Sequence, residues 1–379
     1  MKNNENNIIG YIEGYYGRIL SWKNRKSIIK SLHKNKMNTY FYAPKEDICH
    51  RLCWRQKYSE KWRLGFKNFI QFSKKYNIDI IVGIAPGLDY NFNELHDVSV
   101  SNQISDFQLL LKKAKQLLDD GANSIALMLD DIPSDFKKKI SVDVSEGTYH
   151  GILANKLSKE LEQNIFFVPR IYADELIKDN PSYLKDLSKI LSPNIKVFYC
   201  GKNVVTRTFK NKERIKKIFP NKIIFWDNFY ANDYCPRRLF IGPALGRENL
   251  KNIMINPTGL IKTDLLILDI FGSSIIGEFS IKRWENIITA HEIPKVFLKI
   301  KRFFLKPDFG QNPSTQKYYM NNNHIEILDF LLWKWKGQLS REWYPYLFGL
   351  KQDLQIEKNL LTSERIVKTQ TIPLSKFLN

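Results

Sequence analysis

Cysteine and histidine are scarce in this 379-residue chain, at four and six residues. Cys49 and Cys53 flank His50, but Cys200 and Cys235 are remote, so no zinc-ligand spacing is present. No metal and no cofactor are expected, and free thiols suit a reducing compartment. Few histidines and no G-x-S-x-G turn disfavour Ser–His–Asp chemistry. Gly10, Gly14 and Gly17 miss the G-x-G-x-x-G spacing, which weakens the case for an open nucleotide-binding sheet. Long apolar runs are also missing. The nearest, "GLIKTDLLILDIFGSSIIG", carries Lys262, Asp264 and Asp269 and does not read as a membrane span. The stretch "MKNNENNIIGYIEG" lacks the apolar core of an export signal. The expectation is a soluble, cytoplasmic protein with no membrane partner, leaving open secretion without a standard signal.

Positive charge is abundant, with a formal net charge of +20. The lysines are scattered along the whole length in short runs, as on solvated faces, and no RNP, KH or zinc-finger spacing accompanies them. No nucleic-acid partner is expected. Hydrophobic residues make up 43% of the chain, enough for one large domain or two ordinary ones.

Eight short apolar runs begin near residues 8, 38, 78, 124, 165, 195, 222 and 252. Their near-continuous apolar content suits strands covered on both faces. Helix-like stretches lie between them. In "WKNRKSIIKSLHKNK", Ile28, Ile29 and Leu32 form a one-sided stripe, and "FQLLLKKAKQLLDDG" closes on a glycine. Eight strands, each followed by helix-forming chain, predict an α/β fold: a (β/α)8 TIM barrel over residues 1–290. A helical C-terminal region of unknown role is expected over 291–379. There, Ile325, Leu328, Leu332 and Trp335 share one helical face, and the aromatics of "REWYPYLFG" read as packing.

In such a barrel, chemistry sits where the strands end. The ends supply Gly14, Lys45, Asp130 with Asp131, Tyr172, Trp226 with Asn228, then Asp233 and Asn256. A lone polar residue at a strand end is usually a loop cap, but six of the eight ends share the pattern. "SIALMLDDIP" is the sharpest case, because neighbouring strand residues face opposite ways. Asp130 and Asp131 can line one pocket only if the backbone turns. Held close, one carboxylate is expected to stay ionised while the other is pushed toward its protonated form, which suits acid/base work on a C–O bond. A metal site or a helix cap are the bland readings. Tyr172 and Trp226 offer apolar faces with a polar handle, as a sugar requires. Asn228, Asp233, Asn256 and Lys45 can bind hydroxyl groups.

The stretches "GYIEGYYGR", "MNTYFYAPKEDICHRLCWR", "ALMLDDI", "WDNFYANDYCPRRLFIGPALGR" and "INP" resemble, in matching order, the catalytic domain of glycoside hydrolase family 84. This resemblance implies a retaining β-N-acetylglucosaminidase whose nucleophile is the substrate's own 2-acetamido oxygen, forming an oxazoline. By resemblance, Asp130 orients the acetamido N–H, and Asp131 is the general acid and then the general base. Tyr172, Trp226 and Asn228 surround the acetamido group, and Asp233 holds the 4- and 6-hydroxyls. Lys45, Gly14 and Asn256 lie toward the 3-, 4- and 6-hydroxyls. The implied partner is a glycoprotein or glycan bearing β-linked N-acetylglucosamine. An inactive glycan-binding relative and a hyaluronan-directed glucosaminidase are the alternatives. The chain departs from the pattern at Arg170–Ile171, where Arg170 is expected to alter the pocket rim, and at Tyr199–Cys200.

Overall fold

The computed structural model describes residues 7–95, 104–136, 144–209, 212–220, 222–235, 237–248, 250–305 and 322–357. Eight strands form: β1 (Ile8–Glu13), β2 (Thr39–Tyr42), β3 (Asp79–Ile84), β4 (Ser124–Met128), β5 (Phe166–Val168), β6 (Lys196–Tyr199), β7 (Ile223–Asp227) and β8 (Asn252–Ile255). They pair in chain order, all parallel, and β8 closes on β1. Each predicted apolar run holds one strand, and the sheet is the expected closed (β/α)8 barrel.

Parallel neighbours need a crossover between them, and helices supply most of these. They are α1 (Trp22–Lys34), α2 (Glu60–Lys74), α3 (Asp106–Asp119), α4 (Glu146–Glu160), α5 (Tyr183–Ile190), α6 (Glu213–Ile218) and, after β8, α7 (Ile261–Ile275). Ser21, Ser59, Ser105 and Ser145 start α1 to α4, each accepting a backbone N–H with its side chain. Such a cap contributes about 1 kcal/mol. Gly121, at φ +106°, turns the chain just past α3 as expected.

The expectation of a helix after every strand fails once. Among the described residues between β7 and β8 there is no helix. This segment carries Pro236, Gly242, Pro243 and Gly246, which punctuate any helical period. Arg247 secures it instead. Fully buried, it donates two hydrogen bonds to the Asp227 carboxylate, at 2.6 and 3.0 Å. Its remaining N–H groups reach the carbonyls of Thr206, Arg207 and Leu245.

Residues two apart on a strand share a face. Ile12, Phe41, Met128, Val168, Phe198, Trp226 and Met254 fill the barrel interior. Burying each large apolar side chain contributes about 1.5–3 kcal/mol. Two residues further on, or four in the case of Phe41, the same alternation assigns Gly14, Asp130, Asn228, Asn256 and Lys45 to the inward side at the strand ends.

The barrel occupies the described residues of 1–233 and 244–278, and those of 234–243 and 279–379 form a second compact unit. That unit contains α8 (Ile281–Ala290), α9 (Arg302–Leu305), α10 (Asn322–Trp333) and α11 (Gln338–Glu357). Trp343 is buried there against Phe297, Phe304 and Trp335, so "REWYPYLFG" does pack. Because α10 ends at Trp333, Trp335 leaves the predicted helical stripe and meets Trp343 edge-on. Among the described residues no helix is long and apolar enough to cross a membrane.

Candidate active site

Asp130 and Asp131 follow β4 after Leu129. Asp130 keeps the inward alternation and is 6% exposed. Asp131 has φ +54°, a left-handed conformation that aspartate tolerates better than most residues. This is the backbone turn that two adjacent carboxylates need to share one site. Lys45, from the end of β2, lies between them. Its Nζ donates to Asp130 Oδ2 and stands 3.9 Å from Asp131 Oδ2. Asp130 Oδ1 is buried and has no hydrogen-bond partner among the described residues.

Two tyrosines hold Asp131. Tyr16 donates to Oδ2 at 2.8 Å, and Tyr172 donates to Oδ1 at 2.7 Å. Both hydroxyls have raised pKa values, through burial first and the Asp131 charge second, so both remain proton donors. The Tyr16 backbone N–H donates to Asp233 Oδ2 at 2.9 Å, which ties the β7 loop to the β1 loop.

A second polar chain runs beside the acids. The Gly14 N–H donates to Asn256 Oδ1, at 3.1 Å. Asn256 Nδ2 donates to Asn228 Oδ1 at 2.9 Å, and Trp226 Nε1 donates to the same oxygen at 2.8 Å. Asn228 Nδ2 donates to the Val204 carbonyl and lies 3.6 Å from Cys200 Sγ. The Cys200 N–H donates to the Tyr172 carbonyl, linking this chain to the first. Trp226 is only 6% exposed, with its ring edge-on to Phe41 and Phe198. Gly14 makes room for it: a Cβ there would lie 2.5 Å from the indole. All nine residues proposed from the strand ends thus join one connected set, through Tyr16 and Cys200.

The sequence profile of the beta-N-acetylglucosaminidase (NAGidase) family matches residues 9–262. The chain belongs to this family. Its curated relatives include Protein O-GlcNAcase of Mus musculus and of Rattus norvegicus. Each is 29% identical over 307 residues, covering 78% of this chain and 32% of the relative. The chain therefore spans about a third of the length of those two relatives.

In this β-N-acetylglucosaminidase-family barrel, the Asp131 carboxyl is held toward its ionised form. Burial alone would raise the Asp131 pKa, but Lys45, the Tyr172 and Tyr16 hydroxyls and Arg51 outweigh it and hold the carboxyl below its ordinary value. The reasoning from two adjacent acids omitted cations and donors arriving from other strands. Arg170 corrects an expectation. It is buried, donating to both oxygens of Glu146 at 2.5 and 2.8 Å, so it does not form a rim. Strand-end reasoning missed Tyr16, Arg51 and Cys200. Tyr16 and Arg51 sit in loops, where alternation carries no signal, although both fall inside the stretches that carry the family resemblance. His50, beside Arg51, is held neutral, its pKa lowered to about 3 by burial and then by Lys45.

Proposed function

We propose that this chain is a retaining β-N-acetylglucosaminidase that works by substrate assistance. The observation that carries the reading is the Asp130–Lys45–Asp131 cluster with its one unpartnered buried oxygen. Leaving such a group without a donor is costly, so it survives where a ligand supplies the donor. An acetamido N–H is a donor of the right kind for Asp130 Oδ1.

In the first step, the acetamido oxygen bonds to C1 as the C1–O bond to the aglycone breaks. Asp131 gives its proton to the departing oxygen, and Asp130 accepts the N–H. In the second, water adds to C1, its proton passes to Asp131, and the oxazoline opens. Two inversions retain the β configuration. Because substrate amide replaces a carboxylate nucleophile, neither aspartate attacks the sugar, an exception to the usual two-carboxylate scheme. For Tyr172 to bind the acetamido oxygen, its hydroxyl must turn from Asp131 Oδ1 to the substrate. We assign Asn228 and Trp226 to the acetamido side, Asp233 to the 4- and 6-hydroxyls, and Lys45, Gly14 and Asn256 to the remaining hydroxyl region.

The names of the mouse and rat relatives support O-linked N-acetylglucosamine on proteins as the target. Four unpaired cysteines support a reducing, cytoplasmic setting. The test is release of a coloured phenol from an aryl β-N-acetylglucosaminide, with the product anomer read by NMR, followed by parallel assays on an O-GlcNAc peptide, chitobiose and hyaluronan fragments. β-Configured product from the wild type supports the reading. Binding without turnover would make the chain a glycan-binding relative, and initial α-product would exclude the substrate-assisted route.

A further inference from the structure

Arg51 lies on the loop between β2 and α2 and is 8% exposed. Among the described residues it has no hydrogen bond or ion pair with Asp130, yet two of its N–H groups converge on Asp131 by different routes. One Nη donates to the Asp131 carbonyl oxygen at 2.7 Å, and the other donates to the Tyr16 hydroxyl oxygen at 3.0 Å. We infer that Arg51 is a positioning residue for Asp131, fixing its left-handed backbone directly and aiming the Tyr16 proton at its carboxylate.

Donor counting fixes where the Tyr16 proton points. A guanidinium has donors only, and a phenol has one proton. Because the Tyr16 oxygen accepts from Arg51, its single proton is left for Asp131 Oδ2, 2.8 Å away. The planar fork reaches both acceptors at once, a geometry that a lysine point charge cannot reproduce. The carbonyl contact bears on the φ of +54°, a conformation disfavoured for a residue with a side chain. If that turn relaxed, alternation along the strand would swing Asp131 away from the face of Asp130.

The groups facing Asp131 are Tyr16 from the β1 loop, Lys45 and Arg51 from the β2 loop, Asp130 on its own strand end, and Tyr172 after β5. The buried Cys200 thiol after β6 also feels its charge. Among these, only Tyr16 and Tyr172 donate to the carboxylate itself within 3 Å. Losing Tyr16's donation therefore shifts the carboxyl upward. The consequence for turnover rests on the proposed acid/base role of Asp131. A higher pKa leaves more of the acid protonated, so the alkaline limb of kcat/KM moves to higher pH.

The experiment compares Arg51→Met, Arg51→Lys and Tyr16→Phe with the wild type. Asp131 is titrated by NMR of carboxyl-labelled aspartate, with Asp131→Asn identifying its resonance. In parallel, kcat/KM is followed against pH on an activated dinitrophenyl and an unactivated alkyl N-acetylglucosaminide. Arg51→Met and Tyr16→Phe should raise the Asp131 titration and the alkaline limb by about one pH unit. Both should lose roughly tenfold more activity on the alkyl than on the dinitrophenyl substrate, because only the former depends on a well-placed acid. Arg51→Lys should fall between them and the wild type. An unmoved titration and equal losses on both substrates would overturn the inference, leaving Arg51 a loop anchor. If Arg51→Met fails to fold, Arg51→Lys, which keeps the charge but not the fork to both acceptors, decides: an Asp131 titration equal to the wild type would overturn the inference. A wild type without turnover would sink the proposed function, while the NMR titration would still judge Arg51.

Discussion

Two buried acids at strand ends of this barrel are treated in opposite ways. Glu13, at the end of β1, is fully buried, and its two oxygens accept four hydrogen bonds. The donors are Arg25 twice, at 2.8 and 2.9 Å, the Leu20 N–H at 3.0 Å, and the Tyr40 hydroxyl. Asp130, after β4, has Lys45 on one oxygen and nothing on the other. Glu13 takes the outward alternation of its strand, opposite to Ile12 and Gly14, and meets the Arg25 guanidinium of α1. Asp130 takes the inward alternation. A saturated carboxylate holds a fold together, whereas one with spare acceptor capacity is available to a ligand.

The largest expected effect is that of Asp131→Asn, at the acid that stands beside Asp130 on the same lysine. It should lower turnover of an aryl N-acetylglucosaminide by about 10²–10⁴-fold, the usual contribution of a general acid/base group, while costing less urea stability than a change at the fully buried Glu13. On the other side, Glu13→Gln leaves Arg25 buried without its charge partner. Urea unfolding should then report a loss of about 3–5 kcal/mol. Loss of activity without loss of stability in Glu13→Gln would break the comparison.

A third test uses Asp264, on α7, another buried acid that the proposed chemistry does not use. Burial raises its pKa to about 6, against hydrogen bonds from Thr258, Tyr11 and Gly259 that pull the other way. Its unfolded value is about 3.9, so between roughly pH 4 and 6 the native state binds more protons. Stability from this group is present below that window and falls as pH rises through it, by about 2–3 kcal/mol in all. Asp264→Asn should flatten that decline in urea unfolding followed from acid to neutral pH. Asp131 runs with the opposite sign. Its lowered pKa contributes stability above its unfolded value, lost as pH falls through the folded one.

The smallest expected effect belongs to Gly14→Ala. The new methyl group would press on the Trp226 ring and destabilise the barrel by about 1–3 kcal/mol. Thermal unfolding reads the loss, and KM should rise more than kcat falls, because the indole is placed for binding rather than for proton transfer.

Read from residue order, the strands were legible because parallel strands covered on both faces must be apolar throughout, and each of the eight runs became one. The candidate residues were legible because alternation continues past each strand end: from Phe41 to Lys45, from Met128 to Asp130, from Trp226 to Asn228. Tyr16 and Arg51 were not legible as Asp131 contacts, since a loop side chain's direction is set by what it meets. The left-handed turn at Asp131, the low pKa of its carboxyl and the burial of Arg170 were decided by contacts between distant segments. Periodicity is a property of one element and is written in its own residues. Charge balance and hydrogen-bond satisfaction are properties of several elements at once, and exist only after the barrel has closed.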